Sequence, residues 1–413
     1  MADEGWLPPA AVLPSIPMRY LIALSALALS HAAGTQPGPA AFRTHVIEAK
    51  IPGGYAVLVT DMNRDGKPDV LGITSRLTEL AWYRNPGWER HVLIRDMKGL
   101  VNMAAHDIDG DGFPELVVQN EFSMVAAQSA GLNWLLRNPG DPTALWPAAK
   151  IDALLTSHHV AWADLDGDGR KELINAPLIG AKALAPKYED HVSLVYYPVP
   201  KDPQGEWRRH LIDDKLFGVL HRVRVVKWKS GKREQLLTTG FDGIVLHQAS
   251  GPGGALRWEK TLLSKGHQEE APRAGSSDVA VGHLKKKRIL ASVEPWHGNE
   301  VVVYTQGRSG AWERRVIFDQ LTEGHEVCVG DFNADGRDDI VAGDRARGKI
   351  SSAHVFYSQD DAGAQWHHEV LDPMGMSASG CAVADLNADR RPDIVLIGGA
   401  TANLKWYENL GPK

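Results

Sequence analysis

The sequence predicts an all-β fold, a seven-bladed β-propeller whose N-terminal strand closes the last blade. Three recurring marks carry this expectation: an acidic loop after an apolar strand, a strand with an aromatic near its end, and an aromatic-led strand following it. Self-similarity at such spacing is the signature of blades or solenoid repeats. The composition agrees. Of 413 residues, 43% are hydrophobic and 23% charged, too apolar for disorder, and 41 glycines suit many short strands joined by tight turns. A net charge of -6 gives no basic field to hold a phosphate backbone, which excludes nucleic acid as a partner. With only Cys328 and Cys381, the chain can build neither a disulfide scaffold nor a cysteine-based zinc module.

In chain order, residues 1–33 read as a signal peptide region. Met18-Arg19-Tyr20 precedes the apolar run Leu21 to Leu29, and Ser30 to Ala33 supplies small residues for cleavage. The acidic, Pro-rich stretch before Met18 suggests that translation starts at Met18. The run is about half the ~20 residues of a membrane span, so the expectation is a secreted or periplasmic protein with no stable membrane span. Residues 34–41 read as a linker and 42–413 as the propeller.

The acidic loop occurs five times, at Asp61, Asn63, Asp65, Asp69; Asp107, Asp109, Asp111, Glu115; Asp164, Asp166, Asp168, Glu172; Asp331, Asn333, Asp335, Asp339; and Asp385, Asn387, Asp389, Asp393. In two repeats the same slot reads VRVVKWKSGKREQLLTTG (223–240) and VAVGHLKKKRILASV (279–293), where a fixed cationic side chain could stand in for a metal ion. The second mark recurs as LAWYRNPG (80–87), LNWLLRNPG (132–140), SLVYYPVP (193–200), IVLHQASG (244–251), VVVYTQG (301–307), HVFYSQD (354–360) and LKWYENLG (404–411). The third begins at Trp88, Trp146, Trp207, Trp258, Trp312 and Trp366. Its seventh copy, from Phe42, stands alone at the front. The second mark ends the chain with nothing after it. A ring is complete only if the front strand joins the last blade.

Carboxylates or amides at loop positions 1, 3, 5 and 9, with a turn glycine at 6, set hard oxygen ligands as calcium requires. An EF-hand is excluded, because its twelfth position would need Glu and holds Gly72, Val118, Asn175 or Ala342. These loops resemble those of the FG-GAP, or VCBS, repeat family of secreted propellers. The resemblance spans residues 42–413 and implies structural calcium in loops one, two, three and six. The last loop departs from the pattern, with Arg390 at the turn glycine.

In a propeller, the innermost strand of each blade lines the central channel, and its start faces away from these loops. Counting back six residues from each loop start gives Tyr55, Val101, His158, His221, Ser277, His325 and Ser379. Counting back five gives Ala56, Asn102, His159, Arg222, Asp278, Glu326 and Gly380. Candidate catalytic residues at this mouth are therefore His158, His159, His221, His325, Glu326, Asp278 and Arg222, with His297 added from a loop on the same face. Glu121, Asp242, Trp296 and Asp344-Arg345 lie on that face too, and the insertion 176–190 is placed to act as a lid. His45, His91 and His210 belong to the outer strands and read as structural.

The exported propeller, the His-rich mouth and the WYxNPGWxxHVL phrasing are together similar to the propeller domain of the fungal aldos-2-ulose dehydratases. The similarity implies water elimination from a keto- or anhydro-sugar, with no cupin domain here to isomerise the product. A neutral imidazole is a suitable base, and zinc or another divalent transition metal on two or three histidines would polarise a carbonyl. The expected function is a calcium-stabilised carbohydrate lyase with a small sugar substrate. The alternatives are a non-enzymatic glycan- or protein-binding propeller and a keto-glycoside hydrolase or epimerase. The oligomeric state is not legible.

Overall fold

A computed structural model describes residues 37–345 and 351–413. The signal peptide region and the start of the linker fall outside the described residues. Seven four-stranded antiparallel sheets account for nearly all of what is described. Their innermost strands are Gly54–Thr60, Asn102–His106, Ser157–Ala163, Leu220–Val226, Asp278–Leu284, Val327–Gly330 and Ala378–Ala384. Beyond these sheets lie a two-stranded ribbon (His267–Gln268 with Ala274–Gly275) and one short 3-10 turn, Ala126–Gln128. No helix among the described residues is long and apolar enough to cross a membrane.

The ring closes as the displaced first repeat requires. Ala40–Glu48 pairs antiparallel with Asn403–Pro412, from Ala40 opposite Pro412 to Glu48 opposite Leu404. It is the outermost strand of a sheet whose three inner strands come from the other end of the chain. The strand begins at Ala40, inside the stretch read as linker.

The second strand of a blade is covered on both faces, which explains its continuous apolar runs. Every residue of Asp69–Thr74, Glu115–Asn120, Glu172–Pro177, Gln235–Gly240, Asp339–Gly343 and Asp393–Gly398 is buried. A run covered on both sides has no polar face to alternate with. The core is accordingly divided into layers between blades. Leu71, Ile73 and Trp82 of blade one meet Leu116, Val118 and Leu136 of blade two, whereas Val117 and Leu135, on the opposite face, meet Leu173 and Tyr197 of blade three.

The acidic loops join first to second strands. Where position nine is Asp it ties the loop to the third strand: Asp69 accepts the Met62 and Asn85 N–H groups (2.9 and 2.8 Å), Asp339 those of Phe332 and Ser358 (3.2 and 3.1 Å), and Asp393 those of Leu386 and Asn409 (2.9 and 2.8 Å). In the last loop Arg390 adopts φ +70, the left-handed conformation that glycine takes in the others, so the turn survives the substitution. The two cysteines, unassigned from sequence, form one bond between the innermost strands of blades six and seven, Cys328–Cys381, with Cα atoms 6.2 Å apart.

Candidate functional site

The two registers counted from the sequence become two layers at one end of the channel. Strand geometry alone would send consecutive residues to opposite faces. Four innermost strands avoid this with an irregularity at the mouth, skipping Tyr55, His158, His221 and Ser379 in the pairing with the next strand. Ser277 immediately precedes the innermost strand of blade five, and His325 lies two residues before that of blade six. A bulged residue is freed to re-aim its side chain.

The upper layer is a group of imidazoles. His221, His297 and His325 bring one ring nitrogen each within 4.8 Å of one another. His221 Nδ1 donates to the Ser277 carbonyl (2.7 Å) and His325 Nδ1 to the Ser379 carbonyl (2.5 Å), the same-register residue of the next blade in both cases. Those bonds fix the tautomer and leave Nε2 as a bare lone pair facing the group. His297 Nε2 lies 3.2 Å from His221 Nε2. His158 meets the Tyr55 hydroxyl at 2.7 Å through Nε2, and that hydroxyl is 3.3 Å from His325 Nε2. Tyr55 was in the counted register but was not singled out; a lone Tyr among seven residues carries no signal without the bulge that turns it inward.

Burial pushes all of these imidazoles toward the neutral form. His221 falls to about 3, through burial first and the Arg222 charge second. His158, His297 and His325 also lie well below the ordinary histidine value, again through burial first. Burial raises Tyr55. The converging lone pairs of neutral His221, His297 and His325 suit a divalent cation, whereas His158 turns its Nε2 to the Tyr55 hydroxyl. His221, His297 and His325 therefore fit a zinc-type ion with an open coordination position.

The lower layer is different in kind. Arg222 pairs with Glu326, lies 3.4 Å from Asp278 and donates to His159 Nε2 (2.7 Å). Asp278 also receives Arg224 and the Val279 and Val327 N–H groups, and Glu326 accepts the Cys381 N–H (3.0 Å). Burial works against the Arg222 charge, and Glu326 and Asp278 more than reverse it. Arg222, Asp278, Glu326 and His159, read as mouth residues, thus form a buried ionic floor that ties together blades three to six. They support the imidazoles above them.

Over the mouth, Trp296 lies against His297 (ring centroids 4.6 Å) and meets Tyr188 and Phe241 edge-on. Tyr188 comes from the insertion read as a lid, and it packs with Leu178, Ile179 and Ala183 of that segment. Glu121 and Asp242 flank the same region; Asp242 accepts the Phe217 N–H at 2.9 Å. At the rim, His45 stacks on Trp406, His91 lies against Trp82 and His210 stacks on Tyr196, so these three pack outer strands.

On the far face, loop two (Asp107, Asp109, Glu115) and loop three (Asp164, Asp166, Glu172) each bring three carboxylate oxygens within 4.8 Å of one another. Such hard-oxygen sets fit calcium. In loops one and six, Asn63 and Asn333 turn their amide nitrogens to Asp65 and Asp335 (3.0 and 3.3 Å), while Asp61 and Asp331 accept turn N–H groups. Asp111 and Asp168 accept the N–H of Phe113 and Arg170. In the fifth repeat, Lys285 reaches the Asp335 carbonyl of blade six, so its charge serves the neighbouring loop and not its own slot. The fourth-repeat loop likewise docks on loop three, where Glu234 accepts the Asp164 N–H at 2.9 Å.

A family model described as aldos-2-ulose dehydratase, beta-propeller domain, matches residues 130–307, and one for an FG-GAP-like repeat matches residues 41–118. Among curated proteins, the aldos-2-ulose dehydratase of Phanerodontia chrysosporium is 24% identical over 318 residues, covering 70% of this chain. The chain spans only 33% of that relative's length. Among solved structures, the exotype rhamnogalacturonan lyase YesX superposes with a TM-score of 0.50 at 13% identity, over 91% of this chain and 75% of that one. BBS1N, solved in complex with ARL6DN, gives 0.51 at 10% identity, over 91% and 97%. Both structural likenesses concern the fold alone. The chain is a seven-bladed propeller with FG-GAP-like repeats that resembles the propeller domain of aldos-2-ulose dehydratase.

Proposed function

We propose that the protein is an exported carbohydrate lyase that eliminates water from a keto- or anhydro-sugar at the imidazole mouth. The observation that carries this is the convergence of the His221, His297 and His325 ring nitrogens beside a Tyr55–His158 hydrogen bond. The likeness to aldos-2-ulose dehydratase supplies the reaction class. A divalent ion held by the three imidazoles would polarise the substrate ketone and make its α-hydrogen acidic.

The chain's own groups then handle the proton. Tyr55 Oη takes the α-proton as its hydroxyl proton passes to His158 Nε2, 2.7 Å away. Burial and nearby cationic charge make the resulting His158 imidazolium a strong acid. Its proton returns through Tyr55 to the departing β-hydroxyl, which leaves as water while the C=C bond forms. Trp296 and the insertion carrying Tyr188 exclude bulk water from this exchange. The Cys328–Cys381 bond suits an oxidising compartment outside the cytosol. Calcium in loops two and three would neutralise their clustered carboxylates and hold the face opposite the mouth.

The test follows enone absorbance from 1,5-anhydro-fructose and 3-keto-glucosides, together with metal analysis of the purified protein. Tyr55→Phe and His158→Ala should each lower kcat at least ~100-fold, as the loss of an acid–base group does. His325→Ala should also lose the transition metal. The aromatic rim around Trp296 favours, as a second reading, a propeller that only binds glycans. That reading stands if no keto-sugar turns over and a triple variant at His221, His297 and His325 still binds glycan like the parent.

A further inference from the structure

Beside the mouth, between blades six, seven and one, lies a cavity of about 420 Å³ that the elimination chemistry leaves unused. Tyr55 and Ser379 form its inner wall, and Arg76, Arg345 and Glu323 its outer one. Tyr55 therefore has one side toward this cavity and its hydroxyl on His158 and His325. Among the described residues, neither Arg345 nor Arg76 makes a side-chain hydrogen bond or ion pair. Arg345 is half-buried, and its charge is the strongest acting on His297 and His325. One carboxylate faces two guanidinium groups, so the cavity carries an excess positive charge.

A half-buried guanidinium with no counter-ion is costly unless a ligand supplies one. Guanidinium groups match planar carboxylates through paired N–H donors. The cavity is large enough for a sugar substituent, and Tyr55 forms part of its wall. We propose that the carbohydrate taken by this mouth is a sugar acid of the hexuronate class. Its carboxylate is held between Arg345 and Arg76, and its ring lies over Tyr55 and His325. The inference rests on the proposed carbohydrate site and adds the charge of its ligand; it involves no bond-making step of its own.

The experiment is calorimetric titration of the full chain with D-glucuronate, its neutral methyl ester, D-glucose and glucose 6-phosphate, at low and at physiological salt. Glucuronate should bind at least tenfold more tightly than ester or glucose, and more weakly as salt rises. Arg345→Gln and Arg76→Gln should each weaken it about 10- to 100-fold, the range for losing a charged hydrogen-bond partner. Arg345→Lys should restore part of the loss, and Glu323→Gln, which removes the opposing carboxylate, should tighten binding. Melting curves identify any variant that fails to fold, and Arg76→Gln, at an exposed position, remains informative if Arg345→Gln does not fold. Equal affinity for glucuronate and its ester, tighter binding of the phosphate, or parental affinity in both Gln variants would overturn the proposal. Turnover of 1,5-anhydro-fructose by a protein that binds glucuronate no more tightly than its methyl ester overturns it and leaves the lyase reading intact. Charge-selective binding without turnover of any keto-sugar does the reverse.

Discussion

Replacing Arg222 by Met tests whether the layer beneath the mouth is a structural floor. Arg222 is 5% exposed and stands between Glu326 (8%) and Asp278 (0%). Without it, Asp278 keeps Arg224 and two backbone N–H donors, whereas Glu326 keeps only the Cys381 N–H. Glu326 would then be a buried carboxylate with no cation. Breaking such a pair from one side costs about 3–5 kcal/mol. Unfolding entropy of about 2.1 cal/mol/K per residue gives the propeller roughly 0.8 kcal/mol/K, so the melting temperature should fall by about 4–6 °C. Adding Glu326→Leu removes the stranded charge and should recover most of that loss, because apolar replacement of both partners is often close to neutral. The assay is a set of thermal melts of parent, both single variants and the double variant, in one calcium-containing buffer. If Arg222→Met melts within a degree of the parent, or the double variant is no better than Arg222→Met alone, the floor does not hold the channel together.

The Cys328–Cys381 bond spans 53 residues of sequence, so Cys328→Ser/Cys381→Ser should lose about 4 kcal/mol, read as a lower melting temperature that reductant no longer changes. His247 is buried against Thr238 (2.9 Å), and burial lowers it to about 4. The unfolded chain therefore binds its proton first, and stability should fall as pH drops from about 6.5 toward 4. Urea titrations of His247→Gln across that window should show a shallower fall. If calcium occupies loops two and three, chelator should lower the melting temperature, and Asp109→Ala and Asp166→Ala should each remove about one bound calcium while leaving mouth chemistry intact. An unchanged melt in excess chelator marks the loops as self-sufficient turns.

The architecture was legible because its marks are local. Each acidic loop, aromatic strand end and Trp-led strand declares itself within ten residues, and the stray copy at Phe42 betrays the closure. The mouth was legible as a register, because a fixed count from each loop start lands on the same turn of every innermost strand. The division of that register into an imidazole layer and an ionic floor was not. It depends on skipped residues such as Tyr55, His158 and His221, and a bulge of one residue leaves no compositional trace. Arg345 acquires its meaning from a cavity it lines with Tyr55 and Arg76 of blade one, and Cys328 from Cys381 of the next blade, at distances along the chain that no window spans. Lys285 shows the same limit: its sequence slot belongs to one blade and its ammonium to the next.

The closing strand also imposes an order of events. Arg43 and Glu408 are 365 residues apart in sequence, yet their side chains meet at 3.1 Å. The strand that leaves the ribosome before any blade is thus the last to find its place. It must wait unpaired until Asn403–Pro412 has emerged, its edge open to pairing with any other strand it meets. Six blades can assemble as they are made, each from a continuous stretch, but the seventh cannot begin to close until synthesis has passed residue 403. Until then the ring stays an open arc. A new pair of termini cut between two blades, with residues 413 and 37 joined by a short linker, would turn this late long-range search into a local hairpin and should speed refolding.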